Sequence, residues 1–263
     1  MPAFNAERYL IDSINSVIDQ SYCNWELIVI DDGSSDSSGN IIQNYNDQRI
    51  KYSRQQNKGV SGARNSGLGL MNGKYFCFLD ADDFLPPNSL AARINVFEDH
   101  PELSFVDGKV RKFSADFSTE IGLWSPTFSG NPLSDLLTLS GKSFFGPSWM
   151  IKRKPGKEYH FKEDLTHGED LLFFIELARE GGLYGYTKET ILHYRTGHQS
   201  AMKNLSGLED GYRTVFQELK QMEDIPENLK NFFQIKSKSI MMKSYIGNGM
   251  FKDSLRVWLD KEW

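Results

Sequence analysis

Asp80 and Asp82 stand two positions apart directly after the apolar run Tyr75-Phe76-Cys77-Phe78-Leu79. Such a run reads as a strand buried on both faces, and carboxylates at i and i+2, where the strand ends and the chain turns, can converge on one oxygen-seeking cation. Mg²⁺ or Mn²⁺ suits the pair, because these ions accept few protein carboxylates and fill their remaining positions with water and substrate phosphate oxygens. A structural reading competes: Asp82 or Asp83, with Asp83 the better choice, caps a helix beginning after Pro86-Pro87. A second acidic cluster, Asp31-Asp32-Gly33-Ser34-Ser35-Asp36, ends a second apolar run, Glu26 to Ile30, and is open to the same pair of readings, turn or site. Two acidic strand ends on one sheet edge repel each other, a cost that a divalent ion and a nucleotide offset.

The stretch Asn57-Lys58-Gly59-Val60-Ser61-Gly62-Ala63-Arg64-Asn65-Ser66-Gly67 mixes small and basic residues at the start of a helix. Its structural reading is close packing on a strand through Gly62, Ala63 and Gly67, with Arg64 solvated. It lacks the Gly-Lys-Ser/Thr of a phosphate-binding loop, and no Gly-x-Gly-x-x-Gly follows the first strand, which disfavours ATPase and dinucleotide-dependent chemistry.

These residues need a scaffold, and the hydropathy pattern supplies one. Tyr9, Leu10, Ile14, Val17 and Ile18 share one face of a helix over 6–20, with Asn5 as its expected N-cap. Strands are predicted at 26–30, 50–53, 75–79, 104–112 and 190–195, and helices at 37–46, 60–71 and 169–180. Strands and helices alternating at this spacing predict an α/β fold with a mostly parallel Rossmann-like central sheet, in which ligands sit outside the carboxyl ends of the strands. Both acidic clusters fall on that edge. Polar-faced helices at 207–222, 226–246 and 250–260 predict a helical C-terminal appendage, so the expected division is 1–203, with halves meeting near residue 100, and 204–263.

The chain has 263 residues, 39% hydrophobic and 25% charged, enough for one substantial core. Thirty Lys and Arg against 35 Asp and Glu give a net charge of -5, a field that repels a polyphosphate backbone and disfavours nucleic acid as a partner. Two cysteines, Cys23 and Cys77, offer neither a disulfide framework nor a cysteine metal cage. With no apolar run long enough to cross a bilayer and charges at Glu7, Arg8 and Asp12, a cytoplasmic protein is expected, with association at the inner face of a membrane left open.

Taken in order, Pro2-Ala3-Phe4-Asn5, Glu26 to Ser34, Asn57-Lys58-Gly59 with Ala63 to Gly67, and Phe78-Leu79-Asp80-Ala81-Asp82-Asp83 closely resemble the family 2 glycosyltransferases over roughly the first 90 residues. The resemblance implies the A-type nucleotide-diphospho-sugar fold, inverting transfer, a Mn²⁺ or Mg²⁺ cofactor and a role in bacterial surface polysaccharide synthesis. It implies a nucleotide-diphospho-sugar donor, a UDP-sugar being favoured, and a glycan or lipid-linked acceptor. It sets the donor nucleotide against Pro2, Ala3, Phe4, Asn5, Asp31, Arg64 and Asp80, with weaker implications for Asp32 and Lys58, and the cation on Asp82 and Asp80. Gly168-Glu169-Asp170 is similar to the family's Glu-Asp motif, which implies Asp170 as the base that deprotonates the acceptor hydroxyl; both acids also suit the first turn of a helix. The Tyr194 to Ser200 segment is similar to a family segment in which a His completes the metal shell and a basic residue and Ser touch the diphosphate, here His198, Arg195 and Ser200.

The family's apolar strand ahead of its Pro-x-x-Asn segment is missing or shortened before Pro2, and another segment filling the slot is the alternative. Trp124, Phe144, Phe145 and Trp149 read as core or as an acceptor-stacking surface. The C-terminal helices carry mixed charge and suit packing, self-association or a membrane surface. Two rivals stand beside the transferase. A nucleotidyltransferase needs a Gly-rich basic loop that Asn5-Ala6-Glu7-Arg8 does not supply, and a catalytically silent sugar-nucleotide-binding or assembly subunit would not require Asp80, Asp82 and Asp170 together.

Overall fold

The structure, a computed structural model, describes residues 1–197, 204–260 and 263. Strands β1 (Pro2–Ala3), β2 (Leu27–Asp31) and β3 (Ile50–Arg54) form a parallel sheet in that order, with Ala3 opposite Asp31 and Asp31 opposite Arg54. Helices α1 (Leu10–Ile18), α2 (Ser38–Gln43) and α3 (Gly59–Leu70) alternate with these strands. A second sheet runs β4 (Tyr75–Phe76), β7 (Met150–Lys152), β5 (Leu103–Phe113), β6 (Glu120–Trp124), with β8 (Leu183–Arg195) parallel to β5 and the other pairings antiparallel. The parallel sheet expected from the strand–helix alternation is therefore confined to the first 54 residues and to the β5–β8 pair. Helices α4 (Ser89–Asp99), α5 (Leu133–Leu137) and α6 (Glu169–Arg179) flank the second sheet, and α7 (Leu205–Gln221), α8 (Glu227–Gly247) and α9 (Phe251–Leu259) close the chain.

Two expected helix caps are used otherwise. Helix α1 starts at Leu10 behind Tyr9 without a side-chain cap, and buries Leu10, Ile14 and Val17 at i, i+4 and i+7. Asn5 instead sits at φ 49°, a left-handed conformation that Asn tolerates, and its side-chain oxygen accepts from Ser35 N at 2.8 Å. Its own N–H donates to Ser34 Oγ at 3.0 Å, so Asn5 ties the end of β1 to the acidic turn after β2. Asp83 does not cap α4, which follows Asn88; its carboxylate accepts the backbone N–H of Arg195 at 2.7 Å.

One core packs α1 and α4 on the sheets through Leu10, Ile14, Val29, Ile94, Phe97 and Val106. The other is aromatic and centres on Trp149, Phe161, Phe173, Phe174 and Tyr184. Trp149 is fully buried, with its indole N–H donating to Ser143 O at 2.7 Å, so it belongs to the core. Val215, Phe216 and Leu219 of α7 and Phe233 of α8 belong to this same cluster. The start of the expected appendage is thus an integral layer of the fold, while Leu208, Met241, Tyr245, Val257 and Trp263 form a small separate core beneath α9.

Strand β1 is two residues long, and β4 ends at Phe76 although the apolar run continues to Leu79. Between these short strands lies a cavity of about 660 Å³, lined by Met1, Pro2, Leu27 and Ile28 on one side and by Tyr75 to Leu79 on the other. Residues 77–79 border empty space rather than a pairing strand, which is why the expected five-residue strand shrinks to two. The α-amino group of Met1 donates to Ile28 O at 2.8 Å, and burial lowers its pKa from 8.0 to about 6. An extended Val/Ile segment placed ahead of Met1 would continue β1 beside Leu27 and replace that buried amino group by an amide. A net gain of about 1 kcal/mol or more is expected, a rise in Tm of roughly 2–4 °C over a Gly-Ser extension of equal length in a thermal melt.

Candidate active site

Arg64 joins the two acidic motifs that the sequence separates by almost 90 positions. Gly67 lets α3 lie against β2, where an added Cβ would meet Ile30 at 3.7 Å, and this carries the side chain of Arg64 beneath the sheet edge. There its guanidinium donates from Nη2 to Asp80 Oδ1 at 3.1 Å and from Nη1 to Glu169 Oε1 at 3.0 Å, in a setting where Arg64 is only 5% exposed. The rings of Phe161 and Phe78 wall the group at 5.3 and 5.9 Å from its centre. Burial works against the cation, and Asp80 and Glu169 more than offset it, so the guanidinium is held charged.

Gly168, in the left-handed conformation at φ 76°, starts α6 and places Glu169 and Asp170 in its first turn. Asp170 Oδ1 accepts from Leu171 N at 2.7 Å. Burial raises the pKa of both acids, their mutual proximity raises that of Glu169 further, and Arg64 pulls both back. A carboxylate so placed binds a proton more strongly than an ordinary aspartate, and the facing cation favours its ionised form.

The acidic turn after β2 is held by one local bond and by several from neighbouring strands and loops. Asp31 is fully buried; its Oδ1 accepts from Ser34 N at 2.8 Å, its Oδ2 from Tyr52 OH at 3.1 Å, and Arg54 Nε lies at 3.7 Å. Asp32 Oδ1 accepts from Gln55 Nε2 at 2.7 Å and from Lys58 N at 2.9 Å, and Asp32 N donates to Ala3 O at 2.8 Å. Both carboxylates thus order the loop; of the N-terminal segment, Ala3 is buried and Phe4 stands out at the end of β1, 53% exposed.

The Asp80–Asp83 turn is locked by Asp83 N donating to Asp80 O at 3.1 Å and by Arg195. Arg195 was expected to meet a diphosphate, yet its guanidinium is committed to the protein: Nε donates to Asp82 O at 2.8 Å and Nη1 to Ala115 O at 2.5 Å, between the rings of Tyr9 and Phe117 at 4.3 and 4.0 Å. At 5% exposure it positions the turn rather than offering a free phosphate contact. His198 and Ser200 lie outside the described residues. Asp83, buried beside Asp82 and Asp80, has its pKa raised well above the ordinary carboxylate value by burial and then by those two neighbours.

Among the described residues no three His, Cys, Asp or Glu side chains are grouped closely enough to hold a metal ion by themselves. The Asp80–Asp82 turn nevertheless fits Mg²⁺ or Mn²⁺, which take one or two carboxylates and complete their shell from substrate phosphates. Its donors are the hard carboxylate oxygens such ions prefer. The 660 Å³ cavity is a different place: it opens at the amino-terminal side of the strands and includes Arg64 but none of Asp31, Asp80 and Asp82.

Three features escaped the sequence. Glu169 carries the second half of the Arg64 bridge, a pairing that only the fold brings about. Tyr194 lies close enough to Asp83, Asp80, Asp82 and Asp170 that burial and these acids push its pKa to about 12, and its ring packs at 5.2 Å on Phe145, which packs at 5.6 Å on Trp124. Finally, α7 touches the loop that launches α6: an added Cβ at Gly207 would lie 2.5 Å from His167 Cε1, and one at Gly211 would collide with the His167 backbone. The Gly207-x-x-x-Gly211 spacing was the visible signal, since two glycines four apart make a flat helical face.

Comparison with solved structures places this arrangement in the A-type glycosyltransferase fold. S. aureus TarS 1–349 in complex with UDP-GlcNAc superposes with a TM-score of 0.70 over 89% of this chain and 68% of that one, at 19% identity. The mannosyltransferase PcManGT from Pyrobaculum calidifontis, in complex with GDP-Man and Mn²⁺, matches 99% of this chain and 79% of its own, with a TM-score of 0.65 at 15% identity. The family model for glycosyl transferase family 2 matches residues 1–159, and the chain belongs to that family. Among curated relatives, an uncharacterized glycosyltransferase of Haemophilus influenzae is 31% identical over 76% of this chain and 65% of its own length. The minor teichoic acid biosynthesis protein GgaB of Bacillus subtilis is 32% identical over 74% of this chain, which spans only 22% of GgaB.

Replacing Arg64 by Met is expected to leave Asp80 and Glu169 facing each other unpaired, a loss of about 3–5 kcal/mol in chemical denaturation. Arg64→Lys keeps the charge without the two-pronged geometry and is expected to retain part of that stability.

Proposed function

We propose that the chain transfers a sugar from a nucleotide-diphospho-sugar, a UDP-sugar by preference, to a hydroxyl of a glycan or lipid-linked acceptor with inversion at the anomeric carbon. The observation that carries this reading is the Asp80–Arg64–Glu169 bridge with Asp170 beside it, because it ties a donor-side acidic turn and a base to one buried cation. The TarS complex with UDP-GlcNAc supports the choice of nucleotide. The Escherichia coli glucosyltransferase WfgD, 42% identical over 36% of this chain and 38% of its own, is named for transfer to a diphosphoundecaprenol-linked sugar and supports a lipid-linked acceptor. Together with GgaB, it supports a place in bacterial surface polysaccharide synthesis.

In this reading Phe4 and the loop tied by Asn5 and Ser34 border the nucleotide, and Asp31 and Asp32 keep that loop in shape. Asp82, with Asp80, holds Mn²⁺ or Mg²⁺, whose contribution when bound is to neutralise charge developing on the leaving diphosphate. His198 and Ser200 are assigned to the metal shell and the diphosphate. The acceptor hydroxyl attacks the anomeric carbon as the bond from that carbon to the diphosphate oxygen breaks; its proton passes to Asp170, and the nucleoside diphosphate leaves. Arg64 keeps Asp170 deprotonated while burial keeps it basic, the combination a general base needs. Trp124 and Phe145, joined to the acidic cluster through Tyr194, form the proposed acceptor-stacking surface.

Asp170→Asn is expected to lower kcat by about 10²-fold or more while donor affinity measured by calorimetry changes little. Binding of UDP-sugar without turnover in the unaltered protein, across a panel of acceptors, would support the silent-subunit reading instead.

Activity requires Asp170 ionised, so kcat/KM is expected to rise with pH as its proton is lost, with a midpoint above the ordinary carboxylate range near 4. Arg64→Lys, by shifting the facing charge, should move that limb to higher pH. A limb that stays fixed in the variant would remove Arg64 from the control of the base.

A further inference from the structure

Helices α8 and α9 turn apolar side chains outward. Helix α9 buries Ser254 and Val257 and exposes Phe251, Leu255, Trp258 and Leu259 at 55–67%, positions i, i+4, i+7 and i+8 of one face. On α8, Ile235 and Ile246 are exposed in the same way, 68% and 49%. Half of the large apolar side chains that the described residues leave exposed, eight of sixteen, fall between 232 and 259. Concentration of this kind marks an interaction surface, whereas scattered exposed apolar residues do not.

The same stretch reverses the charge of the protein. From Asn228 to Leu259 there are six cations, Lys230, Lys236, Lys238, Lys243, Lys252 and Arg256, against one acid, Asp253: a net +5 in a chain whose total is -5. Three of these are already engaged: Lys230 with Glu227, Lys238 with the Asp260 carbonyl, and Arg256 with Glu209. Lys236, Lys243 and Lys252 have no hydrogen-bond or ion-pair partner among the described residues. Lys236 and Lys243 stand at i+4 and i+11 from Phe232, on the side of α8 that carries Ile235 and Ile246, and Lys252 flanks the apolar face of α9.

We infer that this face docks on an anionic lipid surface, with α9 lying in the headgroup region and the three lysines on the acidic lipids. Apolar residues that include Trp and Phe, edged by lysines, match an interface that is apolar below and negative at the rim. A second copy of the chain matches less well, since a two-fold contact sets the same face, and so the same unpaired lysines, against itself. No described helix is long and apolar enough to cross a membrane, so the mode is lying on it. Docking does not depend on the transfer chemistry proposed above, and it would bring the site to a lipid-linked acceptor.

The test is co-sedimentation of the full chain with phosphatidylglycerol-containing vesicles and with pure phosphatidylcholine vesicles, alongside sedimentation equilibrium without lipid. Binding to the anionic vesicles is expected, falling with added salt, with a blue shift of tryptophan emission that Trp258→Phe removes. Phe251→Glu with Trp258→Glu, and separately Lys236→Glu with Lys243→Glu and Lys252→Glu, are each expected to weaken vesicle binding by about tenfold or more while the circular dichroism spectrum stays unchanged. All these side chains lie outside the transfer site, so nucleotide release with a soluble acceptor should be unaltered, and failure of docking is distinguishable from failure of catalysis. Absence of binding to anionic vesicles overturns the inference, and so does a dimer in solution that Trp258→Glu dissolves, because a second copy then covers the face.

Discussion

A single buried cation makes the two halves of the site depend on each other. Arg64 is held by α3, Asp80 by the end of the β4 run and Glu169 by the first turn of α6, and the three meet only where the guanidinium satisfies both carboxylates. Without the arginine, Asp80, Glu169 and Asp170 would be neighbouring acids in a poorly solvated place, and repulsion would push the donor-side turn away from the base. Lysine could neutralise one of them but could not present two nitrogens in a fixed plane to carboxylates from different elements. The bridge therefore acts on position and ionisation at once: it ties the turn to α6, and its charge works against the burial that raises the pKa of Glu169 and Asp170.

The same dependence extends outward through contacts that carry no charge. Helix α7 lies against the His167–Gly168 turn through Gly207 and Gly211, with Val215 beside Gly168, and α7 in turn shares the aromatic core with Phe173 and Phe174 of α6. The start of α6 is thus gripped from one side by the Arg64 ion pairs and from the other by a flat helical face. At the opposite end of the acidic turn, Arg195 performs a comparable service with carbonyl oxygens and aromatic rings, drawing the end of β8 onto Asp82 and Asp83. Arg64, which the resemblance aims at the nucleotide, and Arg195, which it aims at the diphosphate, are in the folded chain braces of the acidic turn and of α6.

What the sequence disclosed and what it withheld divide along a physical line. Motifs whose meaning is local were legible: the apolar runs ending in Asp31 and Asp80, the small-residue face of α3, and the paired acids opening α6 all lie in elements close to those their residue pattern predicts. Roles that depend on a distant partner were not. Asn5 and Asp83 have the chemistry of caps, and only the neighbours Ser34 and Arg195 redirect them. The expected strand at 75–79 follows correct hydropathy, yet hydropathy says nothing of whether a partner is present to pair with its last three residues. The boundary at 203 followed a change in polarity, whereas Val215, Phe216 and Leu219 are inserted into the main core by a helix whose other face is wet.

The placement of empty space sharpens the functional argument. The cavity of about 660 Å³ lies between the two sheets at their amino-terminal side, with mostly apolar walls, and none of Asp31, Asp80 and Asp82 lines it. A charged donor with a hydrated ion belongs with those carboxylates, because an apolar cavity would strip both of water without replacing its hydrogen bonds. The carboxyl edge, by contrast, presents fixed charges and backbone-ordered loops that are already formed, so little reorganisation is needed when a diphosphate arrives. In the proposed function, donor binding at this edge relies on ordered charge more than on enclosure, so the Arg64 bridge matters to it more than the volume of the cavity does.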